Sequence, residues 1–180
     1  RVGDQMPAWF AAVDAIVAIV SLGAVVRLIA PHLGSKESDP AVIVVDEAAQ
    51  FVIPVLSGHL GGANALAGHL AGALGATPVL TTASDARQTL AVDLLGRELG
   101  WVFEATHAEL VRCSAAVVND EAVALVQEAG RSDWWANHAN GRPGPLPANL
   151  TLFEKLEDVD ADRFAAVLWI ATRAMPAELA

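Results

Sequence analysis

Residues 41 to 64 read AVIVVDEAAQFVIPVLSGHLGGAN, and the first half of the chain can be interpreted outward from this stretch. Ala41–Val45 and Gln50–Pro54 are short apolar runs, each of which predicts a buried strand. The connection between them, Asp46–Ala49, is short enough to indicate a hairpin. The glycine-rich segment Ser57–Gly62 follows and predicts a turn that opens a helix. The stretch therefore predicts one antiparallel strand pair and then a junction of strand, loop and helix.

The flanking sequence predicts an α/β fold with an open, mostly parallel sheet and flanking helices. Ala15–Val20 is an unbroken, largely β-branched run, typical of a central strand covered on both faces. The helix predicted over Ala63–Leu74 should end at Gly75, because glycine adopts the left-handed conformation that closes helices. Further strands are predicted at Pro78–Leu80, Trp101–Phe103, Ala122–Gln127, Thr151–Phe153 and Ala165–Ile170, and further helices at Trp9–Val13, Leu22–Ala30, Leu90–Leu99 and Ala108–Val118.

The sequence changes character after Gly100, which predicts two domains over residues 1–100 and 101–180. The second is expected to be a small α/β unit, with Arg131–Pro147 as an exposed, polar excursion rich in proline and glycine. The first predicted helix has no strand before it, whereas such domains normally begin with one. The chain is therefore expected to begin inside its first domain and to lack the opening strand.

Composition excludes several classes of protein. A net charge of −10 and scattered basic residues argue against nucleic-acid binding, which needs a basic stripe. No apolar run approaches the roughly 20 residues that span a membrane. The single cysteine, Cys113, excludes an internal disulfide and a multi-cysteine metal site, and its surroundings favour an inert, buried thiol. These features together predict a cytoplasmic protein.

The segment Ser57–Asn64 is the strongest candidate for a functional site. Glycines between a strand and a helix let the backbone approach a ligand closely, and unpaired N–H groups at a helix start attract anions. The spacing matches neither a dinucleotide-binding fingerprint nor a phosphate-binding Walker loop. A second interpretation stays open, in which Gly58, Gly61 and Gly62 serve only the sterics of a tight turn.

Other polar residues are candidates because of where they follow predicted elements. His59 is the histidine that a glycine turn would present at the carboxyl edge of the sheet, and it has no second ligand at zinc-binding spacing. Thr81 and Thr82 should face the same edge, as should Asp85 unless it caps the next helix. Arg27 could pair with a carboxylate or hold an anionic ligand, and Asp46 could be a functional carboxylate or simply a hairpin residue.

Four motifs in order resemble the CbiG family: Gly23–Pro31, Asp39–Glu47, Leu56–Asn64 and Thr81–Asp85. The resemblance is specific over about residues 14–95 and weaker toward residue 180. It implies cobalt-precorrin-5A hydrolase activity in cobalamin biosynthesis, with opening of the ring-A lactone and release of acetaldehyde. It implies an anionic cobalt-tetrapyrrole substrate that carries the metal itself, and no organic cofactor. Family members usually have a further C-terminal domain, and some are fused to a precorrin methyltransferase, so either could complete this chain.

Residue chemistry then suggests roles within that reaction. Lactone opening needs a base to activate water and donors to stabilise an oxyanion, roles for which His59 or Asp46 and the amides near Gly61 and Gly62 are candidates. The expected substrate-binding residues are Arg27, Ser57, Gly58, Gly61, Gly62, Asn64, Thr81, Thr82 and Asp85. Lys36 is a further candidate positive group. The alternative function is a non-catalytic module that binds corrin intermediates for a fused methyltransferase and needs no base.

Overall fold

The computed structural model describes residues 2–35, 38–135 and 144–174, and it divides the chain into two compact units. The first unit covers Arg1–Thr82 and the second covers Ala83–Ala180. This boundary differs from the one expected after Gly100. The reason is packing, because Leu90 and Val92 are buried in the hydrophobic core of the second unit.

The first unit is built on a four-stranded sheet in the order β1-β2-β3-β4. Its strands are β1 (Ala15–Ile19), β2 (Ala41–Val45), β3 (Phe51–Leu56) and β4 (Thr77–Pro78). β1 runs parallel to β2 and β3 runs parallel to β4, whereas β2 and β3 are antiparallel. The predicted hairpin is therefore confirmed. It also reverses the strand direction in the middle of the sheet.

Helices cover both faces of this sheet. α1 (Val2–Ala12) and α2 (Leu22–Ile29) pack on one face, where Met6, Phe10 and Val25 are buried against β2. α3 (Ala63–Leu74) packs on the other face through small residues at helical spacing, namely Ala63, Ala67 and Ala71. These alanines let the helix approach the sheet closely. α3 ends at Gly75 with φ 67°, as predicted.

The expectation that Ala15–Val20 forms a central, fully covered strand is wrong. In the part of the chain that the structure describes, β1 is an edge strand, with Val17 45% and Ile19 71% exposed. The central, completely buried strand is β2. The hydrophobic cluster under α3 includes Ala15 of β1 but neither Val17 nor Ile19. On the side of the sheet that faces α3, β1 is therefore covered only at its start.

The second unit contains an all-parallel, three-stranded sheet in the order β6-β5-β7. Its elements are α4 (Ala83–Ala86), α5 (His107–Val118), β5 (Val123–Gln127), β6 (Leu150–Phe153) and β7 (Ala166–Ile170). Thr106 and Glu109 form a reciprocal capping box that starts α5. The predicted fold class is confirmed, an α/β fold with an open, mostly parallel sheet followed by a second small α/β unit. Within the described ranges, none of the helices has the length and apolar character needed to cross a membrane.

Two predicted elements of the second unit are wrong. Instead of an α-helix, Leu90–Leu99 contains two short 3-10 turns, Val92–Leu94 and Arg97–Leu99. The left-handed Gly96, at φ 69°, separates these turns and cannot belong to a regular helix. Trp101–Phe103 is an irregular segment rather than a strand, because the Trp101 ring packs on Gly96 and Gly130 instead of entering a sheet.

The tryptophan pair of the predicted excursion is packed rather than exposed. Trp134 is only 6% exposed, and its ring contacts Trp101 edge-to-face at a centroid distance of 6.2 Å. The rings of Trp134 and Trp135 are also edge-to-face, with their centroids 5.9 Å apart. This start of the Arg131–Pro147 segment therefore contributes to the core, whereas residues 136–143 lie outside the described residues.

Candidate functional site

The glycine loop, defined as Ser57–Gly62, lies at the carboxyl ends of β3 and β4. These strands are parallel, so Ser57, after β3, and the segment Thr81–Thr82, after β4, leave the sheet at the same edge. Asn64, in the first turn of α3, joins the two segments, because its Nδ2 donates a hydrogen bond to Oγ1 of Thr82 at 3.0 Å. The structure thus brings the loop, Asn64 and Thr82 together at one edge.

Close packing explains two of the loop's glycines. A Cβ on Gly58 would lie 2.8 Å from Oδ1 of Asn64, and a Cβ on Gly61 would lie 2.4 Å from Cβ of Ser57. Ser57 itself has a positive φ of 55°, an uncommon conformation for a residue with a side chain. Its Oγ donates to the main-chain oxygen of Asp39 at 2.9 Å, which holds it in place. These contacts support the steric interpretation for Gly58 and Gly61.

Most amides at the start of α3 are already hydrogen-bonded within the loop. The N–H of Gly62 donates to the oxygen of His59 at 2.9 Å, while Ala63 and Asn64 donate to the oxygens of Ser57 and Gly58 at 3.1 and 2.9 Å. The expectation that the N–H of Gly62 is free is therefore wrong. Among the residues that the structure describes, the N–H of Gly61 forms no hydrogen bond, and Gly61 is exposed. This amide is therefore one loop donor that could bind an anion.

His59 lies in the middle of this loop. It is half-buried, and its main-chain oxygen fixes the turn by accepting the N–H of Gly62. Thr82 is also half-buried, whereas Thr81 is exposed. This end of the sheet therefore combines an imidazole, a threonine hydroxyl bonded to the side-chain amide of Asn64, and the exposed N–H of Gly61. This set of groups can accept a proton and donate to an oxyanion.

Asp46 lies at the opposite edge of the sheet. It follows β2, which is antiparallel to β3, so the length of β2, about 16 Å at roughly 3.3 Å per residue, separates it from Ser57. Its Oδ1 and Oδ2 accept hydrogen bonds from the N–H groups of Phe51 and Ala48 at 2.6 and 3.2 Å. The expectation that Asp46 shares a site with His59 is therefore wrong, and its carboxylate stabilises the hairpin turn.

Arg27 is also outside the loop's surroundings. Its Nη1 donates to the oxygen of Gly23 at 3.1 Å, which places the guanidinium at the first turn of α2, just past the carboxyl end of β1. Since β1 is parallel to β2, this is the edge of Asp46 rather than that of His59. Asp85 lies within α4 and belongs to the second unit. Lys36 falls outside the described residues.

Asp39 is a residue beside the loop that was not among the candidates. Besides accepting the Ser57 hydroxyl through its main-chain oxygen, it accepts the N–H of Gly34 through both carboxylate oxygens, at 3.0 and 3.1 Å. It therefore fixes the chain that enters β2 against the chain that leaves β3. The signal was present in the sequence, because an Asp-Pro pair directly before a strand marks a turn.

Two further observations concern chemistry away from the loop. Cys113 is half-buried in α5, and burial raises the pKa of its thiol, as an inert cysteine requires. Within the described ranges, no group of three or more histidine, cysteine, aspartate or glutamate side chains is arranged to hold a metal ion.

Comparison with known proteins identifies relatives in one pathway. Residues 4–85 match the family model described as "Cobalamin synthesis G N-terminal", and residues 90–180 match "Cobalamin biosynthesis central region". A cobalt-precorrin-5A hydrolase from Priestia megaterium is 44% identical over 91% of this chain and 42% of its own length. A second, from Salmonella typhimurium, is 40% identical over 70% of this chain and 34% of its own length.

A solved structure of a cobalamin biosynthesis protein G homolog from Sulfolobus solfataricus is also similar, at 24% identity and a TM-score of 0.48. The similarity covers 89% of this chain and 46% of that chain. The present chain thus spans less than half the length of the relatives it matches. The two family matches together cover nearly all of its residues, so the chain belongs to the CbiG family, of which it contains the N-terminal and central regions.

Proposed function

We propose that this chain is part of a cobalt-precorrin-5A hydrolase, which opens the ring-A lactone of its substrate and releases acetaldehyde. The observation that carries the proposal is the 44% identity, over 91% of the chain, to a relative with that activity in its name. The substrate would be an anionic tetrapyrrole that brings its own cobalt, and the reaction needs no organic cofactor. The whole activity is proposed for the longer protein that such relatives represent.

The first step of this reaction adds water to the lactone carbonyl. His59 is the proposed general base, because a neutral imidazole can accept a proton from water. The exposed N–H of Gly61 is the proposed oxyanion donor, since the amides of Gly62, Ala63 and Asn64 are already used within the loop. A donor of this kind contributes about 2.7–4 kcal/mol in known enzymes. Collapse of the oxyanion breaks the ester bond and leaves a carboxylate and a secondary alcohol.

The second step releases the two-carbon unit. Removal of the alcohol proton forms the C=O bond of acetaldehyde, while the carbon–carbon bond to the macrocycle breaks and its electron pair passes into the conjugated ring. A base must accept the alcohol proton. We assign this role to His59 as well, because the position of Asp46 at the far edge excludes it as a partner in the same site.

A non-catalytic corrin-binding module is the second candidate. One observation favours it: the loop satisfies most of its own amides, and Gly58 and Gly61 are explained by packing alone. Such a module would bind the tetrapyrrole at this edge without a base. It would pass the bound intermediate to another domain, such as a fused precorrin methyltransferase.

The two candidates are separated by an assay for acetaldehyde with cobalt-precorrin-5A, using the chain and its His59→Ala variant. A catalytic His59 predicts a loss of at least about 100-fold in rate with little change in binding. The matched control is His69→Ala, because His69 is exposed on α3 and, among the residues that the structure describes, its ring bonds only to Ala65 of its own helix. Binding without acetaldehyde release by the parent chain would favour the binding module. Equal activity of all three proteins would remove His59 from the mechanism.

A further inference from the structure

The second unit has its own concentration of polar and aromatic side chains, at the carboxyl edge of its parallel sheet. The chain passes from β5 outward to β6 and then returns past β5 to β7, so the strand order reverses at β5. In open α/β sheets, ligands bind at the carboxyl ends of the strands where such a reversal occurs. Glu128 directly follows β5 and Arg173 closely follows β7, and their side chains meet at this point.

Arg173 is held in a defined orientation there. Its Nε donates to Oε2 of Glu128 at 3.2 Å, and its Nη2 donates to Oε2 and Oε1 at 3.0 and 3.2 Å. One face of the guanidinium lies over the Trp169 ring, with 4.9 Å from Cζ to the ring centroid. Arginine retains its fork of donors in such a stacked pair, and a lysine could not reproduce it.

Glu128 is the fixed carboxylate that holds the Arg173 guanidinium in this arrangement. Its side chain is only 17% exposed, and its Oε1 also accepts the N–H of Leu156 at 2.9 Å. That hydrogen bond is the main cause that lowers the pKa of the Glu128 carboxyl, with further contributions from Arg173 and Trp169. The indole N–H of Trp169 is buried and, within the described residues, forms no hydrogen bond of standard geometry. Glu128 is therefore an ionised group that connects the ends of all three strands.

The remaining edge of Arg173 is available to a ligand. Its side chain is 59% exposed, and within the described part of the chain its Nη1 forms no hydrogen bond. Because Glu128 and Trp169 already order the guanidinium, a bound anion would cost little additional side-chain entropy. A chain with a net charge of −10 cannot attract anions from a distance, so an anionic ligand needs such a local donor.

We propose that Arg173 is a carboxylate anchor, whose Nη1 edge binds an acetate or propionate side chain of a polycarboxylate tetrapyrrole. The assignment to a tetrapyrrole rests on the proposed function, whereas the binding of a carboxylate rests on the geometry of Arg173, Glu128 and Trp169 alone. Arg173 would act in binding and orientation, at the carboxyl ends of the strands of the second unit.

A second arginine of the same unit serves as a matched control. Arg87 forms an ion pair with Asp120 at 3.0 Å, and its side chain is 53% exposed, close to the exposure of Arg173. Asp120 precedes β5, so this pair lies toward the amino ends of the strands, and no aromatic ring packs on Arg87 within the residues described. Replacing Arg87 removes the same charge and the same kind of ion pair, but at the wrong end of the sheet.

The test is isothermal titration calorimetry of the 180-residue chain with uroporphyrin I, a porphyrin with eight carboxylates. Arg173→Gln is expected to weaken binding by about tenfold or more, since a charge-assisted hydrogen bond is lost, while Arg87→Gln should stay within about twofold of the parent. Arg173→Lys keeps the charge and serves if the glutamine variant does not fold. It should weaken binding in the same direction, because the fork of donors is lost.

Three results would overturn the proposal: no binding by the parent, parental affinity in the folded Arg173 variants, or equal losses in the Arg173 and Arg87 variants. Acetaldehyde release, measured separately, distinguishes this failure from failure of the proposed function. Binding that depends on Arg173 in a chain that releases no acetaldehyde would leave the anchor standing and the hydrolase role unsupported. If the parent chain released acetaldehyde and the Arg173 variants bound the porphyrin as tightly as the parent, the hydrolase role would be supported and the carboxylate anchor would be wrong.

Discussion

The two sheets differ in where they place the residues that follow their strands. In the first unit, the β2–β3 hairpin reverses direction, so residues that follow β1 and β2 lie at one edge and residues that follow β3 and β4 lie at the other. In the second unit, all strand pairs are parallel, so every carboxyl end reaches the same edge. A single reversal therefore decides whether polar residues after strands can form one site.

The two carboxyl edges are also stabilised by different groups. Backbone groups hold the glycine loop, where the amides of Gly62, Ala63 and Asn64 donate to loop carbonyls. Side chains hold the edge of the second sheet, where the indole N–H of Trp134 donates to Gln127 at 2.8 Å and Glu128 pairs with Arg173. The first edge should therefore be most sensitive to changes of backbone, and the second to changes of side-chain packing.

The largest expected effect concerns the glycines that contact Trp101. A Cβ on Gly96 would lie 2.1 Å from the Trp101 ring, and one on Gly130 would lie 2.7 Å from it, both at positive φ. Gly96→Ala and Gly130→Ala should each destabilise the protein by about 2–4 kcal/mol, through overpacking and backbone strain together. Gly100→Ala is the control, because Gly100 has φ 71° with open space around it, and should cost about 1 kcal/mol.

Denaturant unfolding provides the measurement for these glycine variants. If the Gly96 and Gly130 variants lost no more stability than Gly100→Ala, packing on Trp101 would not be what stabilises this part of the second unit. The contrast between the two edges would then have to be abandoned.

A smaller effect is expected at the far edge of the first sheet. Asp46→Ala removes the acceptors of the Ala48 and Phe51 N–H groups and should cost about 1–2 kcal/mol in the free energy of unfolding. Acetaldehyde release by the folded variant should match the parent, because Asp46 lies away from the glycine loop. The control is Glu47→Ala, an exposed residue of the same turn, which should change stability by less than about 0.5 kcal/mol. Loss of activity in Asp46→Ala at unchanged stability would place Asp46 in the site after all.

The smallest effect is a pH dependence in the second unit. The folded-state pKa of Glu128 is lowered, so its contribution to stability is present above its unfolded pKa and is lost as the pH falls through the folded value. Thermal unfolding should show Glu128→Gln less stable than the parent at pH 7, with the difference shrinking below about pH 4. Glu157→Gln, at a side chain 76% exposed, should not show this convergence. A difference that stayed constant with pH would mean that the Glu128 charge does not stabilise the edge.

Local sequence patterns were sufficient for several elements. The strand Ala41–Val45 and the helix Ala63–Leu74 with its end at Gly75 have the predicted bounds. A continuous apolar run and a left-handed glycine are signals that tertiary contacts do not override here. Ala15–Val20 shows the limit of such signals, because a β-branched run has the same pattern whether the strand lies in the middle or at the edge of a sheet.

Candidate-site residues were predictable only where they are close in the chain or follow parallel strands. The pairing of Asn64 with Thr82 follows from strand order, and the structure contains it. The separation of Asp46 from His59 follows from the hairpin, which was predicted without its consequence for the edges. Glu128 and Arg173 are 45 residues apart and share no local pattern, so only the folded sheet brings them together.

The contact of Trp101, Trp134 and Trp135 has a consequence for spectroscopy. The chain contains five tryptophans and no tyrosine, and the second unit contains four of the tryptophans, the fourth being Trp169. Trp9 alone belongs to the first unit, and it is 39% exposed. Near-ultraviolet circular dichroism and tryptophan emission will therefore follow the melting of the second unit almost exclusively. The first sheet and its glycine loop could unfold with little optical signal, so amide exchange or far-ultraviolet measurements are needed to observe them.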